Sequence, residues 1–288
     1  MKLLFIGNCI FRNDTDHRVC NPFKTLKKAL KKADVVVLTL QGNITKRRIP
    51  SNQSSVGEQL LALKRIIPRT PIIIDFKNTD LLTLNPNGKK DTSRFLTNHG
   101  FIYTYQVIRP LLYGTLCFFS CMDEDLVTSR MVQAVVPINL RKINTMTAAY
   151  LTYIKSFKCI LRTIVVNLRI KPYAGVMLPV EALTFSKLLI DYGVDIVQIQ
   201  ANNSKPVNSC RSYKNGVIIC GLGDLVNCGK PRRRYAPVTS ELCLINTISK
   251  NYINYLVQKH TINECIIPKS LRPLRRYSRR ETFHEDAF

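Results

Sequence analysis

The 288-residue chain carries 43 lysines and arginines against 19 aspartates and glutamates, a formal net charge of +24, and 45% of its residues are hydrophobic. This composition is typical of a folded protein with a large core. No apolar run reaches the roughly 20 residues that span a bilayer, and MKLLFIGNCIF is followed by RNDTDHR without a small-residue cleavage site. The sequence therefore predicts an intracellular globular protein with neither a signal peptide nor a transmembrane segment.

The first part of the chain alternates apolar runs with amphipathic segments, which is the pattern of an α/β protein. The predicted elements are a strand at KLLFIG, a helix at NPFKTLKKALKKA, a strand at DVVVLTL, a helix at VGEQLLALKRII, a strand at PIIIDF, a helix at GKKDTSRFLTNHG and a strand at FIYTY. The first strand is predicted to end at Gly7. Gly100 is predicted to end the third helix, because glycine adopts the left-handed conformation that closes many helices.

The remaining elements are less regular. GTLCFFS, RTIVVNL and VDIVQIQ predict strands, PVEALTFSKLLIDYG predicts a helix, and residues 122–150 are predicted to hold a short helix. The last third contains GVIICGL, ELCLINTI and TINECIIP, which together predict a second sheet. No low-complexity linker is present, so residues 1–270 are predicted to form one domain and residues 271–288 a flexible basic tail.

The chain contains ten cysteines but no CxxC motif. Five of them lie within apolar strand-like runs, where free thiols behave as small hydrophobic side chains: Cys117, Cys121, Cys159, Cys220 and Cys243. The spacing of Cys210, Cys220 and Cys228 matches no zinc template. The sequence therefore predicts buried free thiols rather than a structural zinc site.

Basic residues recur along the chain in KTLKKALKK, TKRR, GKPRRRY and LRPLRRYSRR. For any single cluster, a solvated surface is the simpler interpretation. A field of this total size favours polyanions, so the sequence predicts an acidic polymer or nucleic acid as a partner. A nucleic-acid-binding protein stays open as an alternative on charge alone, since no RNP-like or C₂H₂ pattern accompanies it.

Several stretches resemble one family in order and spacing. These are LLFIGNCI, NPFKTLKKALKKADVVVLTLQGNIT, IIIDFKNTDLL with NGKKDTSRFLTNHGFIY, and TIVVNLRIKP with LLIDYGVDIVQIQ and YKNGVIICGLGDLV. Over about residues 1–265, the chain resembles the CapA-type capsule-synthesis (poly-γ-glutamate biosynthesis) family of the calcineurin-like metallophosphoesterase fold. The resemblance implies an α/β fold with two mixed β-sheets packed face to face and flanked by helices. It also implies a metal pair held by loops at the strand ends, which would activate water and clamp phosphoryl oxygens.

At the positions where the family has its ligands and motif residues, this sequence differs. The Gly-Asp after the first strand becomes Gly7-Asn8, the glutamate of Asn-Leu-Glu-Gly becomes Gln41, and the Asn-His pair becomes Asn78-Thr79. The histidine of the His-Trp-Gly segment falls on Arg169, the His-His-Pro-His loop falls near Ala201 and Asn203, and the Leu-Gly-Asn motif becomes Leu222-Gly223-Asp224. The resemblance thus implies a scaffold that has lost the carboxylates and imidazoles that a divalent pair requires.

The leading hypothesis is therefore a catalytically inactive CapA-like protein, with no metal and no cofactor, that binds a polyanion or serves as a structural or interaction protein. The alternative is an active CapA-like enzyme acting on poly-γ-glutamate or a phosphoester. The histidines do not favour it: His99 lies at a helix end, and His17, beside Asp14 and Asp16, is better explained by a solvated loop than by a relocated metal site.

The replaced positions also predict an anion-binding pocket without metal. Arginine offers a planar fork for phosphate or carboxylate oxygens, and the amides around it can donate hydrogen bonds. The predicted pocket residues are Asn8, Gln41, Lys77, Asn78, Arg169 and Asn203. The alternative is that Arg169 faces solvent or pairs with an acid such as Asp75 or Asp224.

Overall fold

A computed structural model of the chain describes residues 1–10, 23, 26–41, 44, 54–75, 86–104, 109–127, 136–158, 162–171, 178–201, 210–222, 224–227, 238–248 and 253–262. In chain order its elements are β1 (Leu3–Ile10), α1 (Lys27–Leu30), β2 (Val35–Gln41), α2 (Ser54–Ile66), β3 (Ile72–Asp75), α3 (Pro86–Asn98), β4 (Ile102–Thr104), β5 (Leu111–Tyr113), β6 (Leu116–Asp123), a 3₁₀ turn (Glu124–Leu126), β7 (Pro137–Ile138), α4 (Thr145–Ser156), β8 (Thr163–Ile170), α5 (Val180–Asp191), β9 (Ile196–Ala201), β10 (Cys210–Tyr213), β11 (Gly216–Ile219), β12 (Asp224–Asn227), β13 (Val238–Ile248) and β14 (Ile253–Ile262). The predicted tail, residues 271–288, lies outside the described part of the chain, so its flexibility stays a prediction.

The strands form two mixed sheets of seven strands each. The first sheet has the order β14-β13-β1-β2-β3-β4, with β12 also paired to β1. Strands β1 to β4 run parallel to one another, as the repeated strand–helix–strand order predicts, whereas β13 runs antiparallel to β1. The second sheet has the order β10-β11-β9-β8-β6-β5, with β7 beside β6.

The prediction that the last third of the chain forms the second sheet is only partly correct. The second sheet begins at β5, and of the predicted stretches GVIICGL forms β11 in it, whereas ELCLINTI lies in β13 of the first sheet. Strand β13 instead pairs with β1, with Leu3 opposite Ile245, and its Cys243 and Ile245 are buried in the core. Sheet membership depends on this long-range pairing, which the local sequence pattern does not encode.

Three hydrophobic clusters show how the layers pack. One cluster joins α1, α2 and α3 to the outer face of the first sheet, through residues such as Leu30, Leu60 and Leu96. A second joins α4 and α5 to the outer face of the second sheet. The third lies between the sheets, where Phe5 and Val37 meet Phe118 and Val165. This helix–sheet–sheet–helix arrangement confirms the predicted fold class, an α/β sandwich flanked by helices.

Most local predictions are confirmed where residues are described, but the helix predicted at NPFKTLKKALKKA is helical only at Lys27–Leu30. Gly100 has φ +64° after α3, as expected of the residue that ends a helix. Residues 122–150 hold both the 3₁₀ turn and the start of α4, whose N-cap Asn144 accepts a 2.8 Å hydrogen bond from the Thr147 backbone N–H. Strand β1 continues past Gly7 to Ile10, with an irregular register near Asn8, so the predicted end was too early.

The described cysteines agree with the predicted thiol state. Reduced thiols, not joined in disulfides, are present at Cys9, Cys117, Cys121, Cys210, Cys220 and Cys243, and all of these except Cys210 are buried. Cys159 and Cys228 lie outside the described residues. Within the described ranges, no helix is both long and apolar enough to cross a membrane.

Candidate functional site

A buried polar cluster lies between the carboxyl ends of the parallel strands. In the first sheet, Thr39, Asp75 and Thr104 stand in register at the ends of β2, β3 and β4. In the second sheet, Asn167 pairs with Gln198 and Arg169 with Gln200 near the ends of β8 and β9. All seven side chains are less than a tenth exposed. Ligands of open α/β sheets bind at this end of the strands, so the cluster has the position of a functional site.

Asp75 is the centre of this cluster and is 1% exposed. Its Oδ1 accepts a 2.8 Å hydrogen bond from the Thr104 hydroxyl. Its Oδ2 accepts from Nη2 of Arg169 at 3.2 Å and also from the amide of Asn167. The carboxylate on the first sheet is thus neutralised by a guanidinium from the second, and this buried ion pair joins the two sheets.

The cluster also contains polar atoms without a partner among the described residues. The Gln200 amide donates to the Thr39 hydroxyl, which is a second polar link between the sheets. The unpartnered buried atoms are Asn167 Oδ1, Arg169 Nε, Gln198 Oε1 and Gln200 Oε1. Leaving a buried polar atom unsatisfied costs about 1–3 kcal/mol, so these three acceptors and one donor favour a bound water or ligand beside the cluster.

Arg169 pairs with Asp75, which is one of the two alternatives predicted for it, and its guanidinium does not face solvent. Of the other predicted pocket residues, Asn8 and Gln41 lie in β1 and β2, and the backbone of Asn8 is in register with both Thr39 and Asp224. Their side chains are not among those described. Lys77, Asn78, Thr79 and Asn203 lie outside the described residues, so their place in the pocket stays a prediction.

Four residues of the cluster were not predicted as site residues from the sequence: Thr39, Thr104, Asn167 and Gln198. Asn167 and Gln198 each interrupt an otherwise apolar buried strand, TIVVNLRI and IVQIQA. A polar side chain in such a strand must find a partner or a ligand, because burying an unpaired amide is costly. That interruption is the signal that could have identified both residues.

The described donors do not fit a divalent metal pair. Together they offer one carboxylate, three side-chain amides, two hydroxyls and a guanidinium, whereas such a pair is held by several carboxylates and imidazoles. The single carboxylate is already engaged by a permanent cation. Across the described ranges, no group of three or more His, Cys, Asp or Glu residues is placed to hold a metal ion.

A second polar feature lies at the ends of β6 and β8. A cavity of about 270 Å³ is lined by charged residues of both signs, among them Asp123, Glu124, Asp125, Arg141 and Glu181. Burial raises the pKa of Asp123 above its ordinary value; the Asp125 and Lys171 backbone N–H groups oppose this rise, and the neighbouring carboxylates add to it. An acidic cluster of this kind does not by itself identify a ligand.

The fold and the cluster define an α/β protein with two face-to-face sheets and a polar site at the strand ends. No family model matches the sequence, and no curated protein matches it. Among solved structures, a hypothetical protein from Thermus thermophilus is 12% identical, with 90% of this chain and 99% of that chain covered and a TM-score of 0.50. At this identity the likeness concerns the fold alone.

Two further structures are more distant. The Thermus thermophilus protein TT1561 is 11% identical over 83% of this chain and 92% of its own, with a TM-score of 0.42. Chaetomium thermophilum Vps29 is 13% identical over 94% of this chain and 100% of its own, with a TM-score of 0.32. These scores are too low to carry an argument about function.

Proposed function

We propose that the chain is a catalytically inactive, CapA-like protein of the metallophosphoesterase fold that binds a polyanion. The observation that carries this proposal is the buried ion pair between Arg169 and Asp75. The guanidinium supplies the positive charge that balances Asp75, so this carboxylate is not available as a ligand for a divalent cation. The buried carboxylate is therefore neutralised without a metal ion.

The polyanion part of the proposal is supported by charge. The formal net charge is +24, and lysines and arginines are spread over the described surface as well as the predicted tail. Neutralising several phosphates or carboxylates releases their counterions, which supplies most of the free energy of such binding. Binding is therefore expected to be strong at low salt and largely independent of sequence.

We also propose a small-anion site at the predicted pocket residues Asn8, Gln41, Lys77, Asn78, Arg169 and Asn203. Arg169 supports it, because its Nη2 is engaged by Asp75 while its buried Nε has no partner among the described residues. A phosphate or carboxylate oxygen accepting from Nε would satisfy that donor. The net charge of the ion pair is zero, so we expect this site to bind a small anion weakly compared with the polymer.

One experiment tests inactivity and polyanion binding together. The purified protein is dialysed against a weak chelator, its zinc, manganese and iron contents are measured, and hydrolysis of a phosphodiester and of poly-γ-glutamate is assayed. In parallel, binding of poly-γ-glutamate and of a DNA duplex is measured from about 50 to 200 mM KCl. We expect metal far below one equivalent and an affinity that falls steeply with salt.

The active-enzyme alternative gives a different result. Two retained metal equivalents together with hydrolysis of a phosphodiester or of poly-γ-glutamate would overturn the proposed inactivity. An affinity for both polymers that hardly changes with salt would overturn the polyanion part, because it would show that few ionic contacts form.

A further inference from the structure

A groove lies between α1 and α2 on the outer face of the first sheet. Its volume is about 460 Å³, and it is lined by Lys27, Lys31, Ala62, Arg65, Ile66 and Pro68. Leu30 of α1 and Leu63 of α2 are buried in the cluster beneath it. These anchors fix the two helices on the sheet, so the groove is a permanent feature of the surface.

The groove is strongly basic. Lys27, Lys31 and Arg65 line it, and Lys28, Lys32 and Arg69 are exposed on the same two segments. No carboxylate is among its lining residues. The nearby Asp34 is engaged by the Lys2 backbone N–H at 2.7 Å and by the N-terminal ammonium at 4.0 Å. The positive charge of the groove is therefore not neutralised by its described neighbours.

The side chains have the spacing and chemistry of a phosphate-binding surface. Lys27 and Lys31 are one helical turn apart, a rise of about 6 Å, and Arg65 faces them across the groove. Guanidinium groups bind phosphate oxygens as a planar fork, and ammonium groups bind them as point charges. No aromatic side chain lines the groove, so bases would find no stacking platform there.

We infer that this groove is the polyanion-binding surface of the protein and that it takes the phosphodiester backbone of nucleic acid without reading its sequence. The inference rests on the proposed polyanion function and gives it a site and a ligand class. A polymer with regularly spaced phosphates suits basic side chains that line a groove from two helices. Binding through the backbone alone predicts little discrimination between sequences.

The test compares two triple variants with the same loss of charge. The groove variant carries Lys27→Gln, Lys31→Gln and Arg65→Gln. The control variant carries Lys90→Gln, Arg94→Gln and Lys155→Gln, which are exposed on α3 and α4. Both sets are on the surface, and glutamine keeps much of each side chain and suits a helix, so both proteins are expected to fold; thermal unfolding followed by circular dichroism verifies this.

The probe is a fluorescein-labelled duplex of about 20 base pairs of DNA, followed by anisotropy from about 50 to 200 mM KCl. If three phosphate contacts are lost, the slope of log affinity against log salt becomes shallower by about 2.7, and affinity at the lowest salt falls by at least about tenfold. The control variant is expected to keep a slope within about one unit of wild type. A second duplex of unrelated sequence should bind with an affinity within about threefold of the first.

The outcomes separate the inference from the proposed function. If wild type binds poly-γ-glutamate but not DNA, the nucleic-acid assignment is wrong while polyanion binding stands. If both triple variants weaken DNA binding equally, the groove is not the site and the charge acts diffusely. If wild type binds neither polymer at the lowest salt concentration, the proposed polyanion function itself fails.

Discussion

Arg169 at the end of β8 and Asp75 at the end of β3 form an ion pair across the two sheets, with 3.2 Å between Nη2 and Oδ2. The side chains are 9% and 1% exposed, so water screens neither charge well. A buried pair of this kind can cost as much in desolvation as it gains in attraction. Removing only one partner, however, leaves an uncompensated charge in the core.

The ion pair predicts strong coupling between its partners. Arg169→Met and Asp75→Asn are each expected to lower the free energy of unfolding by about 3–5 kcal/mol, because each leaves the other partner's charge buried without its counter-charge. The double variant is expected to lose clearly less than the sum of the two, since it removes both charges. Urea denaturation of the four proteins measures this. Additive losses would show that the two side chains do not interact in solution.

The small-anion site predicts a specific effect of Arg169→Lys. Lysine keeps a cation beside Asp75 but removes the fork that includes Nε. Phosphate affinity, measured by calorimetric titration, is expected to fall about ten- to a hundredfold, the equivalent of one charge-assisted contact. Polymer binding is expected to stay unchanged, because the groove is elsewhere. Equal phosphate affinities for wild type and Arg169→Lys would show that Arg169 does not bind the anion and that the proposed site is wrong.

Asp123 predicts a pH-dependent contribution to stability. Burial raises its pKa in the folded protein, so the folded state holds the proton more tightly than the unfolded state. Stability is therefore lost as the pH rises from the ordinary carboxyl value through the raised one. Asp123→Asn, which can still accept from the Asp125 backbone N–H, is expected to be more stable than wild type near neutral pH and equally stable at a pH below the ordinary carboxyl value.

Thermal unfolding of Asp123→Asn across this pH range checks the expectation. Asp91→Asn, on α3, removes a carboxylate that does not line the cavity and controls for the change in net charge. A stability difference between Asp123→Asn and wild type that does not vary with pH would mean that Asp123 is charged alike in the folded and unfolded states.

Cys210 and Cys243 predict a cross-link between the sheets. Cys210 lies on β10 of the second sheet and Cys243 on β13 of the first, with 3.2 Å between their sulfur atoms. Oxidised glutathione is expected to convert the two thiols to a disulfide and to release two reduced glutathione molecules. Closing this loop would raise the free energy of unfolding by about 3–4 kcal/mol in the chain-entropy model.

Mass spectrometry of peptides from the oxidised protein identifies the bond. Cys210→Ser should abolish both the cross-linked peptide and the gain in stability, whereas Cys117→Ser, in the cluster between α4 and the second sheet, should leave the cross-link intact. Oxidation that joins Cys210 to a different cysteine would contradict the contact between β10 and β13.

The sequence predicts the secondary-structure elements better than it predicts which strands and side chains pair with one another. TIVVNLRI is buried at every position, so its apolar run identifies β8 directly. The pairing of β13 with β1 depends on residues near opposite ends of the chain, and no local periodicity contains it. In the same way, Arg169 and Asp75 are each prominent in the sequence, but their contact requires two strands from different sheets to face each other.

The pairing of Leu3 with Ile245 also has a consequence for how the chain is made. During synthesis β1 gains β2 as a neighbour early, but its other pairings, with β12 and β13, wait until the strands and helices from β3 to β11 have been made. An unpaired strand edge in a half-finished sheet is a template for wrong association. We therefore expect nascent chains that stop before β12 and β13 to be prone to aggregation through the unpaired edge of β1.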